Sequence, residues 1–205
     1  LGRFDARPTP DMAYEACERA TAEVTDGAIG AGTGATVGKV AGPANAMKGG
    51  VGCGAASAGS LEVRALAAVN AVGDVRDAEG RIVAGARDAD GRWLDGAAIL
   101  AQGGIRDDRF RDLTGRSSTL CLVATNAALD RAALAALARA ASAALYRRIT
   151  PVATQFDGDV VFATAPLSNG VEASVAQVEA LGVLALEMAI ERSVRAAAPG
   201  DILKA

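Results

Sequence analysis

The pattern of apolar and polar positions changes character along the chain, and the change marks the elements. Thr9-Pro10-Asp11 reads as an N-cap, a proline at the first helical position and an acidic first turn. A helical pattern follows over 12–24, and Asp26-Gly27 ends it. From 27 to 59 glycines are dense and the apolar runs are short. Ala35-Thr36-Val37 and Val51-Gly52-Cys53 read there as strands whose backbones are crowded by neighbours. Residues 61–72 form the clearest strand of this half. The turns Asp77-Ala78-Glu79-Gly80 and Asp88-Ala89-Asp90-Gly91 bracket Arg81-Ile82-Val83-Ala84-Gly85, which predicts a strand and hairpin on the surface.

Residues 104–117 are rich in Arg and Asp, lack apolar periodicity and read as an exposed loop. The continuous apolar run Thr119-Leu120-Cys121-Leu122-Val123-Ala124 follows Ser117-Ser118 directly and has the length of a buried central strand. Asp130 caps an alanine-rich helix to about 146, residues 160–163 predict another buried strand, and 171–194 a long apolar helix. Strands followed by strand, helix, strand, helix imply an α/β (α+β) fold of sheets covered by helices, most simply a layered helix-sheet-sheet-helix sandwich. A length of 205 residues suits one domain.

Composition sharpens this picture. Aromatic residues make up 3% of the chain while glycine occurs 24 times, so Ala, Val and Leu must fill the core and backbones must approach closely. The net charge is -3 with no basic stripe, which gives nucleic-acid binding no electrostatic footprint. No uncharged apolar stretch is long enough to span a bilayer, and the start at Leu1 carries no signal-peptide pattern. Cys17, Cys53 and Cys121 form no C-x-x-C pair, so neither a zinc site nor a disulfide framework is expected, and a cytoplasmic location is. The chain has no histidine. That removes every mechanism with imidazole as base and the commonest ligand of catalytic zinc.

Several motifs remain. Gly30-Ala31-Gly32-Thr33-Gly34-Ala35 fits a loose dinucleotide fingerprint but follows a helix where that fingerprint needs a strand. Gly38-Lys39 fails as a phosphate loop because Val40 stands at the Ser/Thr position and Thr33 at the first glycine. Lys39, in a small-residue apolar setting, fits a fixed positive charge or a desolvated base, although spacing alone favours a surface lysine at a strand end. Asn70 ends an apolar run where its amide either points at a developing oxyanion or is a satisfied strand terminus. Asp157-Gly158-Asp159 sets two carboxylates two positions apart at a strand entry, as a turn also would. Ser117-Ser118-Thr119 offers hydroxyl nucleophiles at a loop-to-strand junction, where turn chemistry is the ordinary reading. The missing histidine connects these signals, because a Ser or Thr freed at a chain N-terminus can use its own α-amine, of unperturbed pKa about 8, as base.

In order along the chain, Gly30 to Gly34 with Gly38-Lys39-Val40, Ala68-Val69-Asn70, Ser118-Thr119-Leu120 with Val123-Ala124-Thr125-Asn126, and Asp157-Gly158-Asp159 resemble blocks of the P1-type N-terminal nucleophile peptidases. That family includes the L-aminopeptidase/D-esterase, the β-peptidyl aminopeptidases and the endo-type 6-aminohexanoate-oligomer (nylon oligomer) hydrolase. The resemblance implies a precursor that cuts itself between Ser117 and Ser118, where members carry Asn or Gly before the cut. Residues 1–117 and 118–205 would form the two parts of one catalytic domain, in a helix-sheet-sheet-helix fold that assembles into tetramers. It implies Ser118 as nucleophile with its freed amine as base, Lys39 stabilising charge beside it, Asn70 supporting the oxyanion, and Asp159 with Asp157 orienting Ser118. It implies peptide or other amide substrates and neither metal nor organic cofactor. Members carry a longer N-terminal region than the one beginning at Leu1, with strands and a substrate-contacting tyrosine. Acyl transfer of the ornithine acetyltransferase kind, and an inert truncated member serving as a subunit, are the rival expectations.

Overall fold

In the computed structural model, residues 7–103 and 117–197 are described. Of the exposed loop expected over 104–117, residues 104–116 lie outside them, and Ser117 is fully buried rather than exposed. Helix α1 (Pro10–Glu18) is capped as its sequence requires, with Thr9 Oγ1 accepting from Met12 N at 3.3 Å. It ends well short of residue 24 because none of its residues is buried, so no packing extends it beyond its cap.

The centre of the molecule is a four-stranded sheet of β3 (Gly50–Ala58), β4 (Leu61–Val69), β7 (Leu120–Thr125) and β9 (Val160–Thr164), in the order β3-β4-β7-β9. The first two pairings are antiparallel, whereas β7 and β9 run parallel with Leu120 opposite Val160. A parallel pair needs a crossover, supplied here by α3 (Arg131–Ala141) and α4 (Ala143–Arg148). Smaller pieces complete the fold: β1 (Thr36–Val37) pairs with β2 (Met47–Lys48), and β5 (Asp74–Arg76) lies between β6 (Ile82–Ala84) and β8 (Ile149–Thr150). Helix α2 is Gly96–Ala101 and α5 is Val175–Ala197.

Alternation along the strands decides which face is covered. Leu61, Val63, Ala65, Ala67 and Val69 of β4 and Cys121 and Val123 of β7 are buried with Ala185, Leu186, Ala189 and Ile190 of α5 in one core. Close approach of α5 to β3 is possible only over glycine: a Cβ on Gly52 would lie 2.1 Å from Ala189 O, and one on Gly54 would lie 2.0 Å from Ala185 O. The described residues thus supply a helix layer on a sheet.

Three expectations change in detail. β7 is central, as predicted, but buried on one face only: Leu120 and Leu122 point away from the helices and are 50% and 38% exposed. The strand expected to be buried at 160–163 is an edge strand with Phe162 58% exposed, because no further strand pairs beside it among the described residues. The single helix expected over 130–146 is two, broken at Ser142, whose Oγ donates to Arg139 O at 2.6 Å. A serine bonding back to the preceding turn bends or ends a helix in this way. No described helix is long and apolar enough to cross a membrane.

Candidate active site

The site forms where the N-terminal ends of β7 and β9 meet the turns after β1 and β4. Gly38 adopts φ +72°, and a Cβ there would lie 2.1 Å from Ala86 N, so only glycine lets the chain turn against the β6 hairpin at this point. The turn delivers Lys39, whose backbone N–H donates to Val72 O at 2.8 Å while Gly38 N donates to Gly73 O at 2.8 Å. The hairpin is itself pinned by Asp74, a fully buried carboxylate that accepts from Ala86 N at 2.9 Å and Gly96 N at 2.7 Å. Burial pushes the pKa of Asp74 up to about 6 against the pull of those two N–H groups.

Lys39 points inward, 5% exposed. Its ammonium donates to Asn70 O at 2.8 Å, to Asn70 Oδ1 at 2.8 Å and to Ser117 Oγ at 3.2 Å. Burial lowers its pKa from 10.5 to about 8, with the charges of Asp157 and Asp159 acting in the opposite direction. Asn70 Oδ1 also accepts from Thr36 N at 3.1 Å. Two donors on the amide oxygen fix the orientation of the group, turning Nδ2 away from Lys39 and Thr36.

The Ser117-Ser118 peptide lies alongside the Asp157-Gly158-Asp159 segment. Ser117 forms a parallel bridge with Asp157, and Gly158 N donates to Ser117 O at 2.9 Å. Thr119 N donates to Asp159 Oδ1 at 2.7 Å. Asp159 Oδ2 is buried and has no hydrogen-bond partner among the described residues. Burial raises the pKa of Asp159, the neighbouring Asp157 charge adds to this, and the N–H of Thr119 pulls the other way. Asp157 has both oxygens engaged, Oδ1 with Val72 N at 3.3 Å and Oδ2 with Thr154 N at 3.0 Å and Thr154 Oγ1 at 2.7 Å. Ser118 is half-buried and, with Asn70, Ala31, Gly34, Ala35, Ala68 and Leu120, lines an open cleft of about 300 Å³.

All six residues singled out in the sequence, Lys39, Asn70, Ser117, Ser118, Asp157 and Asp159, therefore meet in one neighbourhood drawn from four distant stretches of chain. The surface-lysine alternative does not describe the buried Lys39, whereas Asn70 does follow the last residue of β4 with its amide oxygen hydrogen-bonded. Gly158 and Thr154 were not singled out: the first could be read only as a spacer between two acids, and the second makes its contact through a loop with no distinctive pattern. No group of three or more Cys, Asp or Glu placed to hold a metal ion occurs among the described residues.

The model of peptidase family S58 matches residues 4–201. The chain belongs to this family. It is 34% identical over 171 residues to an uncharacterized aminopeptidase of Mycobacterium tuberculosis (strain ATCC 25618 / H37Rv), an alignment covering 80% of this chain and 47% of that protein. The chain thus spans about half the length of the curated relatives it matches. Among solved structures it resembles a protein of Pyrococcus horikoshii OT3 with TM-score 0.62 and 21% identity, over 91% of this chain and 49% of the other. It also resembles the L-aminopeptidase D-Ala-esterase/amidase of Ochrobactrum anthropi, described as a new variant of the Ntn hydrolase fold. There the TM-score is 0.52 and the identity 24%, over 87% of this chain and 47% of that one. The expected N-terminal nucleophile hydrolase fold class is borne out by this last likeness.

Proposed function

We propose that this S58-family chain is a self-cleaving amide hydrolase in which scission between Ser117 and Ser118 creates both the nucleophile and its base. The observation that carries the reading is the meeting of Lys39, Asn70, Asp159 and the Ser117-Ser118 peptide in one neighbourhood, with Asn70 and Ser118 lining a cleft, in a chain without histidine. A buried ammonium, a side-chain amide and a carboxylate around a serine make up an acyl-transfer site once the serine has an amine of its own.

In this reading the freed α-amine of Ser118 takes the proton from Oγ as Oγ attacks the substrate carbonyl, and returns it to the leaving amine. Lys39 and Asn70 stabilise the charge that develops on the carbonyl oxygen. Asp159 Oδ2 accepts from the Ser118 ammonium and fixes its position, while Asp157 acts at one remove by holding the Thr154 loop and the turn at Val72. Water then releases the acyl group from Ser118 Oγ. Residues 1–117 and 118–205 are the two parts of the processed domain. The substrates are peptide or amino-acid-oligomer amides, of the aminopeptidase or 6-aminohexanoate-oligomer type, and the processed chains assemble as a tetramer of cleaved heterodimers in the cytoplasm.

Intact mass under denaturing conditions with N-terminal sequencing tests the core of the proposal. A fragment beginning at Ser118 is the expected result, and Ser118→Ala is expected to abolish both cutting and hydrolysis. Hydrolysis retained by Ser118→Ala would overturn the mechanism.

A further inference from the structure

We infer that the backbone N–H of Gly158 is the oxyanion donor for self-cleavage, a role separate from that of the groups that serve substrate hydrolysis. The inference rests on the self-cleavage reading above and concerns the precursor alone.

The carbonyl that self-cleavage must break is that of Ser117. Its oxygen accepts a backbone hydrogen bond from Gly158 N at 2.9 Å, so a donor already faces the oxygen on which the oxyanion of self-cleavage would develop. The nucleophile lies against the same glycine: a Cβ built on Gly158 would come within 2.6 Å of Ser118 Oγ. Gly158 therefore touches both ends of the reacting group, with its N–H on the carbonyl oxygen and its bare Cα leaving room for the hydroxyl. Its φ lies outside the left-handed region, so backbone conformation does not demand glycine at this position. The bare Cα instead gives Ser118 Oγ the room to stand where it does. Ser117 is held from its other side as well, through Lys39 Nζ on its Oγ, and it is fully buried, so the scissile carbonyl has little freedom to leave the donor.

The step balances without any group the chain lacks. Ser118 Oγ forms a bond to the Ser117 carbonyl carbon, and the π pair moves to the oxygen facing Gly158 N–H. As the carbonyl re-forms, the C–N bond breaks with its electrons on the Ser118 nitrogen, which takes up the proton released by Oγ. Water then hydrolyses the resulting Ser117 ester to a carboxylate and the Ser118 hydroxyl. Asn70 and Lys39 need not serve this first step. The oxyanion of an external substrate forms on a different carbonyl, after Ser117 has become a chain end.

The test replaces one N–H with an ester oxygen in the full chain by incorporating α-hydroxy acids. Glycolic acid at position 158 removes the donor to Ser117 O. The α-hydroxy analogue of valine at position 160 removes the neighbouring bond of the same ladder, Val160 N to Thr119 O at 3.1 Å, which does not involve the scissile carbonyl. Appearance of the fragment starting at Ser118, followed by denaturing mass spectrometry, is expected to slow by about a hundredfold or more with the ester at 158. The ester at 160 is expected to change the rate only a few-fold. Equal slowing by both esters would mean that ladder stability alone is at stake, and no slowing at 158 would remove the donor role outright. Either result overturns the inference while leaving self-cleavage intact. An unmodified chain that never yields the fragment would instead overturn self-cleavage, and this role with it.

Discussion

Asn70 offers the sharpest separation of chemistry from folding, because its two ends have different tasks. Oδ1 accepts from Thr36 N at 3.1 Å and Lys39 Nζ at 2.8 Å, so a substrate oxyanion in the cleft shared with Ser118 would take its hydrogen bond from the NH2 end. Asn70→Asp keeps an acceptor for both donors, exchanges the NH2 for an oxygen and adds a negative charge directly beside the Lys39 ammonium. Stability is therefore expected to stay within about 1 kcal/mol of the parent, the size of one ordinary hydrogen bond. Loss of an oxyanion donor costs about a hundred- to a thousandfold in kcat, or roughly 3–4 kcal/mol of transition-state stabilisation. Asn70→Ala loses the same donor but also strands Thr36 N and one partner of Lys39, adding roughly 1–3 kcal/mol of destabilisation. The assay is release of p-nitroaniline from aminoacyl p-nitroanilides, with kcat normalised to the amount of fragment starting at Ser118, beside urea unfolding of the same preparations. Equal kcat losses with unequal stabilities are expected. A kcat for Asn70→Asp within threefold of the parent would refute the assignment of Asn70 to the oxyanion.

Other consequences follow from the same contacts. The pKa of Lys39 falls from 10.5 in the unfolded chain to about 8 in the folded one, so the unfolded state binds more protons across that window and this lysine makes stability rise with pH from about 8 to 10.5. The rise amounts to about 3 kcal/mol over the full window. Thermal unfolding followed against pH should show a smaller rise in Lys39→Met than in the parent, and parallel curves would contradict the burial argument. Gly52→Ala puts a Cβ 2.1 Å from Ala189 O and 2.3 Å from Ser193 N, both fixed in helix backbone, so α5 must lift from β3. A loss of about 1–3 kcal/mol is expected. That corresponds to a fall of roughly 2–12 °C in Tm, against almost no change for the exposed neighbour Ser57→Ala, and calorimetry of the pair decides it.

Much of the site could be read in the sequence because its chemistry depends on residue type. A chain without histidine that carries a serine at the mouth of an apolar strand has few bases to choose from, and the order of four blocks singled out Lys39, Asn70, Ser118 and the Asp157–Asp159 pair. Their meeting could not be read, because it depends on long-range register. Lys39 and Ser117 are 78 positions apart, and their contact requires β7 to start opposite Ala68 and beside Val160. The one-sided burial of β7 was illegible for a related reason: Leu120, Leu122 and Phe162 are as apolar as core residues, and composition does not record which face a helix covers. The helix break at Ser142 turned on a single side-chain bond within an otherwise favourable alanine-rich run.

The hydrogen bonds at the site run as a continuous series through all four blocks. Gly38 and Lys39 donate to Gly73 and Val72, Val72 donates to Asp157, Gly158 donates to Ser117, and Asp159 receives the N–H of Thr119. Scission between Ser117 and Ser118 would remove one covalent link from this series and none of its hydrogen bonds. Ser117 keeps Gly158 and Lys39 as partners, and Thr119 keeps Asp159. The two pieces are also joined by six register pairs between β4 and β7, from Val63 opposite Thr125 to Ala68 opposite Leu120, and by the packing of α5 on β3 and β4. A cut there would leave the sheet and its hydrogen bonds to hold the two pieces together. Ser118 can gain a free amine while the lysine, amide and carboxylate around it keep their positions, and separating the pieces would require taking the central sheet apart.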